Sequence, residues 1–229
     1  MPEPLILSWS GGKDSALALD ALRACGAYDP IVLLTSVTGG YERIAIHGVR
    51  RGLLRAQADA LGLPLHEFEL RPACSNDEYE AALAAALGDV RGRFGATRIA
   101  FGDLFLEDVR RYREERVTPL GFEPLFPLWG RDTAALAREF VARGFQARLV
   151  CVDTTQLDAS FAGRAYDAAL LADLPATVDP CGEKGEFHTF VTHGPGFRSP
   201  VACDIGEVVI RDGRFAYCDL LPAREPTMR

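Results

Sequence analysis

Apolar and polar positions follow two alternating rhythms through the first two thirds of the chain. Leu5-Ile6-Leu7-Ser8-Trp9 is a short apolar run suited to a buried strand. Leucines at 17, 19 and 22 among alanines then predict a helix packed against a sheet. Residues 31–37 repeat the strand rhythm. Val49, Leu53, Leu54, Ala60 and Leu61 predict a helix over 47–61, which Gly62-Leu63-Pro64 stops. Residues 65–70 alternate as a third strand, 76–93 form an alanine-rich helix, and 98–101 make a fourth strand. A charged helix over 108–116 follows. Residues 125–128 open a fifth crossover with a helix over 132–143 behind it, and 147–152 read as a sixth strand. Strands and helices alternating at this spacing predict an α/β fold, a parallel sheet covered by helices on both faces.

The rhythm changes near residue 155. A further helix is expected within 156–174, and 175–200 is rich in Gly, Pro and His. Two short strands over 207–211 and 214–218 flank Asp212-Gly213, a strong hairpin turn. The expected division is therefore 1–154, carrying the parallel sheet, and a smaller α+β domain over 155–229.

Composition narrows the function classes. A net charge of −7 argues against an extended nucleic-acid surface. No apolar stretch reaches the length of a membrane span, and Met1-Pro2-Glu3-Pro4 lacks the basic start of a signal peptide. The six cysteines include no C-x-x-C pair, so a zinc ribbon or dithiol motif is not expected. The expected compartment is the cytoplasm.

Candidate chemistry begins where the first strand ends. Ser10-Gly11-Gly12-Lys13-Asp14-Ser15 joins that strand to its helix. Two glycines let backbone approach a ligand, and the amides and positive dipole end of the helix favour an anion. Ser10 and Ser15 add hydroxyls and Lys13 a charge. A Walker loop would need Gly at position 7 and Ser or Thr at 14, where Leu7 and Asp14 stand. Of a dinucleotide fingerprint only Gly11-Gly12 is present. Ser-Gly-Gly-x-Asp-Ser instead resembles the pyrophosphate loop of the ATP pyrophosphatases. The expected guest is the β- and γ-phosphates of ATP with magnesium, Asp14 binding the metal or a loop amide.

Ligands of open parallel sheets bind beyond the C-terminal strand ends. Thr35 and Ser36 there could face a base or be ordinary strand residues. His47 could contact phosphate or cap its helix. Gly102-Asp103 could hold ribose, metal or polyphosphate, whereas Glu107 and Asp108 read as the acidic first turn of a helix. Trp129 could wall a pocket or sit in the core. The second dense cluster is Asp179-Pro180-Cys181-Gly182-Glu183-Lys184-Gly185-Glu186-Phe187-His188-Thr189. Glu183, Glu186 and His188 could attract ammonium, deprotonate a nucleophile or share a magnesium, or form a charged surface loop. Neither a zinc site nor a nucleophilic Cys181 has a second supporting motif.

Ser10–Ser15, His47-Gly48-Val49, Gly102-Asp103, Pro127-Leu128-Trp129 and Cys181-Gly-Glu-Lys-Gly-Glu-Phe-His-Thr together resemble the diphthine–ammonia ligase family, N-type ATP pyrophosphatases, over nearly the whole chain. The resemblance implies an adenine nucleotide α-hydrolase (HUP-type, Rossmann-like) fold with a small C-terminal domain over the site. It implies ATP and Mg2+, adenylation of a carboxylate with release of pyrophosphate, then displacement of AMP by ammonia. Catalytic roles fall to Asp14, Glu183, Glu186 and His188, and nucleotide binding to Ser10–Ser15, Thr35, Ser36, His47, Gly102 and Asp103. The partners are a small-molecule or protein-borne carboxylate and ammonia, with no membrane; a homodimer is one open assembly. Lys184 and His188 resemble a bacterial-type branch, whose acceptor need not be diphthine. The rival readings are a tRNA-thiolation enzyme, for which a basic RNA-binding extension is missing, and a nucleotide sensor without turnover, for which a second polar cluster is superfluous.

Overall fold

A computed structural model describes residues 1–40, 43–44 and 48–223. The first unit comprises β1 (Glu3–Ser8), α1 (Lys13–Cys25), β2 (Tyr28–Thr38), β3 (Arg43–Ile44), α2 (Arg51–Leu61), β4 (Leu65–Leu70), α3 (Asn76–Phe94), β5 (Arg98–Ala100), α4 (Glu107–Val117), β6 (Glu123–Leu125) and α5 (Thr133–Ala142). Five strands run parallel in the order β4-β2-β1-β5-β6, and β3 adds a short antiparallel pairing at the end of β2. The chain moves outward from β1 through β2 to β4, then returns to the other side of β1 for β5. That reversal puts the loops after β1 and β5 side by side, the place where such sheets bind ligands.

Side-chain alternation along β1 explains why both faces are covered. Leu5 and Leu7 enter one core with α1 and α2; Ile6, between them, enters a second core with α3. Ser75 and Glu78 close a capping box at the start of α3, and Gly95 ends it in the left-handed conformation.

The second sheet is antiparallel, in the order β8-β7-β10-β9, from β7 (Gln146–Asp153), β8 (Phe187–His193), β9 (Cys203–Arg211) and β10 (Phe215–Pro222). Asp212 and Gly213 both have positive φ, as the expected hairpin turn requires. Phe187, Phe190 and Val191 of β8 join the core of α1 and α2, so this sheet covers that side of the first.

One expectation is corrected. Residues 147–152 are not a sixth parallel strand: β7 is central in the second sheet, paired antiparallel with β8 and β10. An apolar run buried on both faces reads alike in either sheet, and only its partners differ. The second sheet thus takes its first strand from before residue 155. The helix expected within 156–174 is α6 (Ala168–Asp173), preceded by one 3-10 turn, Ala159–Phe161. Within the Gly-, Pro- and His-rich stretch 175–200, Phe187–His193 forms strand β8.

Candidate active site at the phosphate loop

The Ser10–Ser15 loop follows β1 through Trp9 and enters α1 at Lys13. Gly11 turns at φ +77°, a conformation that L side chains rarely adopt. The Ser10 hydroxyl donates to Ser15 Oγ at 3.2 Å and accepts from the Gly12 amide at 3.2 Å; Ser15 Oγ donates to the Gly12 carbonyl at 2.9 Å. Lys13 is 2% exposed, its ammonium 2.7 and 2.8 Å from the two Asp14 oxygens. Burial alone would pull its pKa down, but the Asp14 carboxylate beside it raises it and keeps it charged. The cradle therefore presents a fixed cation at the head of a helix.

Strand β8 forms the opposite wall. The Lys13 amide donates to Thr189 Oγ1 at 3.0 Å, and the Val191 amide to the Gly11 carbonyl at 2.9 Å. Ahead of β8, residues 179–186 fold back on themselves. Glu186 is 1% exposed and accepts from the Asp179 and Lys184 amides, each at 2.9 Å. Asp179 accepts from the Cys181 amide at 2.8 Å and the Thr133 hydroxyl at 2.8 Å. These bonds aim Glu183 across the gap, where Oε1 accepts from the Leu104 amide at 2.8 Å in the loop after β5. Burial pushes the Glu183 carboxyl up to about 7, in spite of the Leu104 bond and with help from Asp14.

Two cavities meet at Ser10. One of about 170 Å³ is lined by Lys13, Asp14, Glu183, His188 and Thr189 among others. The other, of about 770 Å³, opens over the ends of β1, β2 and β4 and is lined by Trp9, Thr35, Ser36, Phe68, Tyr79 and Phe101 among others. The structure brings together Ser10, Gly12–Asp14, Glu183 and His188 in the small cleft, and Thr35 and Ser36 in the large cavity. Gly102 packs on the loop from behind. Asp103 pairs with Arg113 at 3.5 Å. Glu186, expected as a base, is turned into its own loop. Burial and the charge of Lys13 pull His188 down to about 4, leaving a neutral imidazole at pH 7. Burial pushes Cys181 up to about 12, so the thiol is no nucleophile. Trp129 lines neither cavity and packs edge-on against Phe126. His47 lies outside the described residues.

Residues 4–123 match the sequence model of the diphthamide synthase N-terminal domain, and residues 132–218 that of its C-terminal domain. The chain belongs to the diphthamide synthase family. It is similar to the diphthine–ammonia ligase of Danio rerio, 30% identical over 232 residues, covering 90% of this chain and 89% of the relative. The corresponding Homo sapiens ligase is 29% identical over 225 residues, covering 88% and 83%. Membership makes this chain an ATP-dependent ligase of the carbon–nitrogen bond-forming kind. No helix among the described residues is long and apolar enough to cross a membrane.

Within that family framework two residues stand out. Gly102 has no room for a side chain: a Cβ there would lie 2.9 Å from the Asp14 carbonyl carbon and 3.1 Å from the Ser15 amide nitrogen. Those are backbone atoms and cannot swing aside. Gly102→Ala is expected to destabilise by roughly 1–3 kcal/mol, the usual cost of overpacking, and to weaken ATP binding as well. Thermal melts with and without ATP check both effects. The other residue is Gln57, which sequence reasoning passed over. Its legible signal is a polar side chain on the apolar stripe of α2, three and four residues after Leu54 and Leu53.

Proposed function

We propose that this ligase adenylates a carboxylate and replaces AMP with ammonia, the phosphate loop holding the leaving pyrophosphate. The observation that carries the reading is the small cleft itself. It sets a buried, charged Lys13 and the head of α1 on one side, and a Glu183 carboxyl near neutrality on the other. Adenosine takes the larger cavity, with its aromatic walls and the Thr35–Ser36 strand end. Its phosphates cross at Ser10 to the loop.

A carboxylate oxygen of the acceptor attacks the α-phosphorus, and the bond to the β-phosphate oxygen breaks. Lys13, the loop amides and the α1 dipole stabilise the charge that gathers on pyrophosphate. Ammonia nitrogen then attacks the acyl carbon, AMP leaves, and Glu183 takes the proton that nitrogen sheds. Among the described residues no three His, Cys, Asp or Glu side chains form a cage for a metal ion. A magnesium held mainly by phosphates needs only one or two carboxylates, and Asp14 at the cleft fits that role. It would supply charge neutralisation on the phosphates.

The relatives' name supports ammonia as the nitrogen donor. The acceptor is a small-molecule or protein-borne carboxylate. All six cysteines are free, which supports a cytoplasmic setting. The test is the nucleotide product. With ATP labelled at the α-phosphate in one run and at the γ-phosphate in another, ammonium and a heat-treated cell extract as the source of acceptors, chromatography is expected to find AMP and pyrophosphate, turned over only when both extract and ammonium are present. ADP and orthophosphate as main products would overturn the reading.

A further inference from the structure

We propose that Gln57 is the positioning residue that sets the phosphate loop in its binding shape and couples that shape to strand β8. The inference rests on the reading that this loop receives the nucleotide phosphates. Gln57 is 0% exposed and spends its whole amide on three separate segments. Its Oε1 accepts from the Trp9 indole at 3.0 Å; its Nε2 donates to the Gly11 carbonyl at 2.9 Å and the Val191 carbonyl at 2.5 Å. One donor and two acceptors as partners leave a single orientation for the amide.

The Gly11 carbonyl is the point of control. It accepts from Gln57 on α2 and from the Val191 amide on β8, so both lone pairs are engaged away from the cleft. A Gly-Gly loop without such anchors samples many conformations, including ones that turn a carbonyl oxygen towards the phosphates. Gln57 removes those conformations before the nucleotide arrives, so binding loses less to ordering the loop. Space at this contact is tight: a Cβ on Gly11 would stand 2.8 Å from Gln57 Oε1. The same side chain that holds the loop also holds β8, whose Thr189 hydroxyl receives the Lys13 amide. Nucleotide affinity is therefore a property of the two sheets assembled, through one amide.

The test uses the full chain, with magnesium–ATP and inorganic pyrophosphate as separate probes in calorimetry. Gln57→Met keeps the volume and removes all three hydrogen bonds. Gln57→Glu keeps the Trp9 acceptor but sets an oxygen against the two carbonyls, and serves if the first variant fails to fold. Either is expected to bind both probes roughly tenfold or more weakly, the cost of leaving buried partners unpaired. Leu87→Ala, 0% exposed in the core on the α3 side, supplies a comparable loss of thermal stability away from the loop. Its core borders the large cavity, so the control is read with pyrophosphate, which it is expected to bind as the unaltered protein does. In a Trp129→Phe background Trp9 is the remaining indole, and its emission is expected to respond to pyrophosphate unless Gln57 is replaced. Variants at 57 that bind as tightly as the parent would overturn the role of Gln57 alone, as would equal weakening in Leu87→Ala. A parent protein that binds neither probe would overturn the loop reading and this inference together.

Discussion

Glu183→Gln is expected to lower ammonia-dependent AMP release by roughly two to four orders of magnitude, the usual weight of a general base. The exchange of labelled pyrophosphate into ATP, which reads adenylation alone, should survive. Glutamine has the same shape and can still accept from the Leu104 amide through its carbonyl, so the loop should stay in place. What it cannot do is take a proton from ammonium or from the nitrogen adding to the acyl carbon. The carboxyl at about 7 gives the experiment a second axis. At fixed free ammonia, AMP release should rise with pH through about 7 in the parent and be flat there in the variant. Stability should move the other way. A carboxyl held above its ordinary 4.5 binds its proton more tightly in the folded chain, so its contribution is full below 4.5 and is lost as pH rises through about 7. Removing the titration should flatten that decline in melts of the variant. An unchanged rate in Glu183→Gln would remove this residue from the chemistry and return the base to the acceptor or to water.

Lys13→Met carries the second large effect. Lys13 is the cation buried in the cradle, held charged by Asp14 and seated 5.8 Å from the centre of the Phe187 ring. Its loss removes a charge-assisted contact to the phosphates and the partner that pairs with the Asp14 carboxylate. Affinity for ATP should fall roughly a hundredfold, the weight of a buried charge-assisted contact and the partner it leaves unpaired. The checking measurement is the thermal shift at a fixed ATP concentration, which depends on the ratio of ligand to Kd. The double variant Lys13→Met, Asp14→Asn separates fold from function: it should regain thermal stability without regaining the ATP-dependent shift. A full ATP-dependent shift in either variant would mean that the phosphates lie elsewhere.

Much of the fold was legible because its signals are local. The apolar run over 5–9, the glycine pair and the leucines of α1 specify strand, turn and helix within twenty residues. Asp212-Gly213 specifies its hairpin within two, since few other pairs take positive φ at both positions. The cluster over 179–189 stood out in the sequence because carboxylates, imidazole and glycines in one short stretch are poor packing material. Its internal division was not. Glu183 and Glu186 stand three residues apart in the same composition, yet one accepts from amides of its own loop and the other from an amide of the loop after β5.

The sequence by itself determined the Ser10–Ser15 turn between β1 and α1 and the α/β alternation. Both rest on residues that are near neighbours in the chain, where short-range sterics and hydrogen bonding decide. Tertiary structure alone decided that β7 joins the second sheet, that β8 closes over the cradle, and that Gln57 ties the two together. Those outcomes depend on which backbone donors meet which acceptors across 48 or 134 residues of chain, as the bonds of Gln57 to Trp9 and Val191 do. A buried polar group takes whatever partner the packing brings within reach, and the packing is a property of the whole fold.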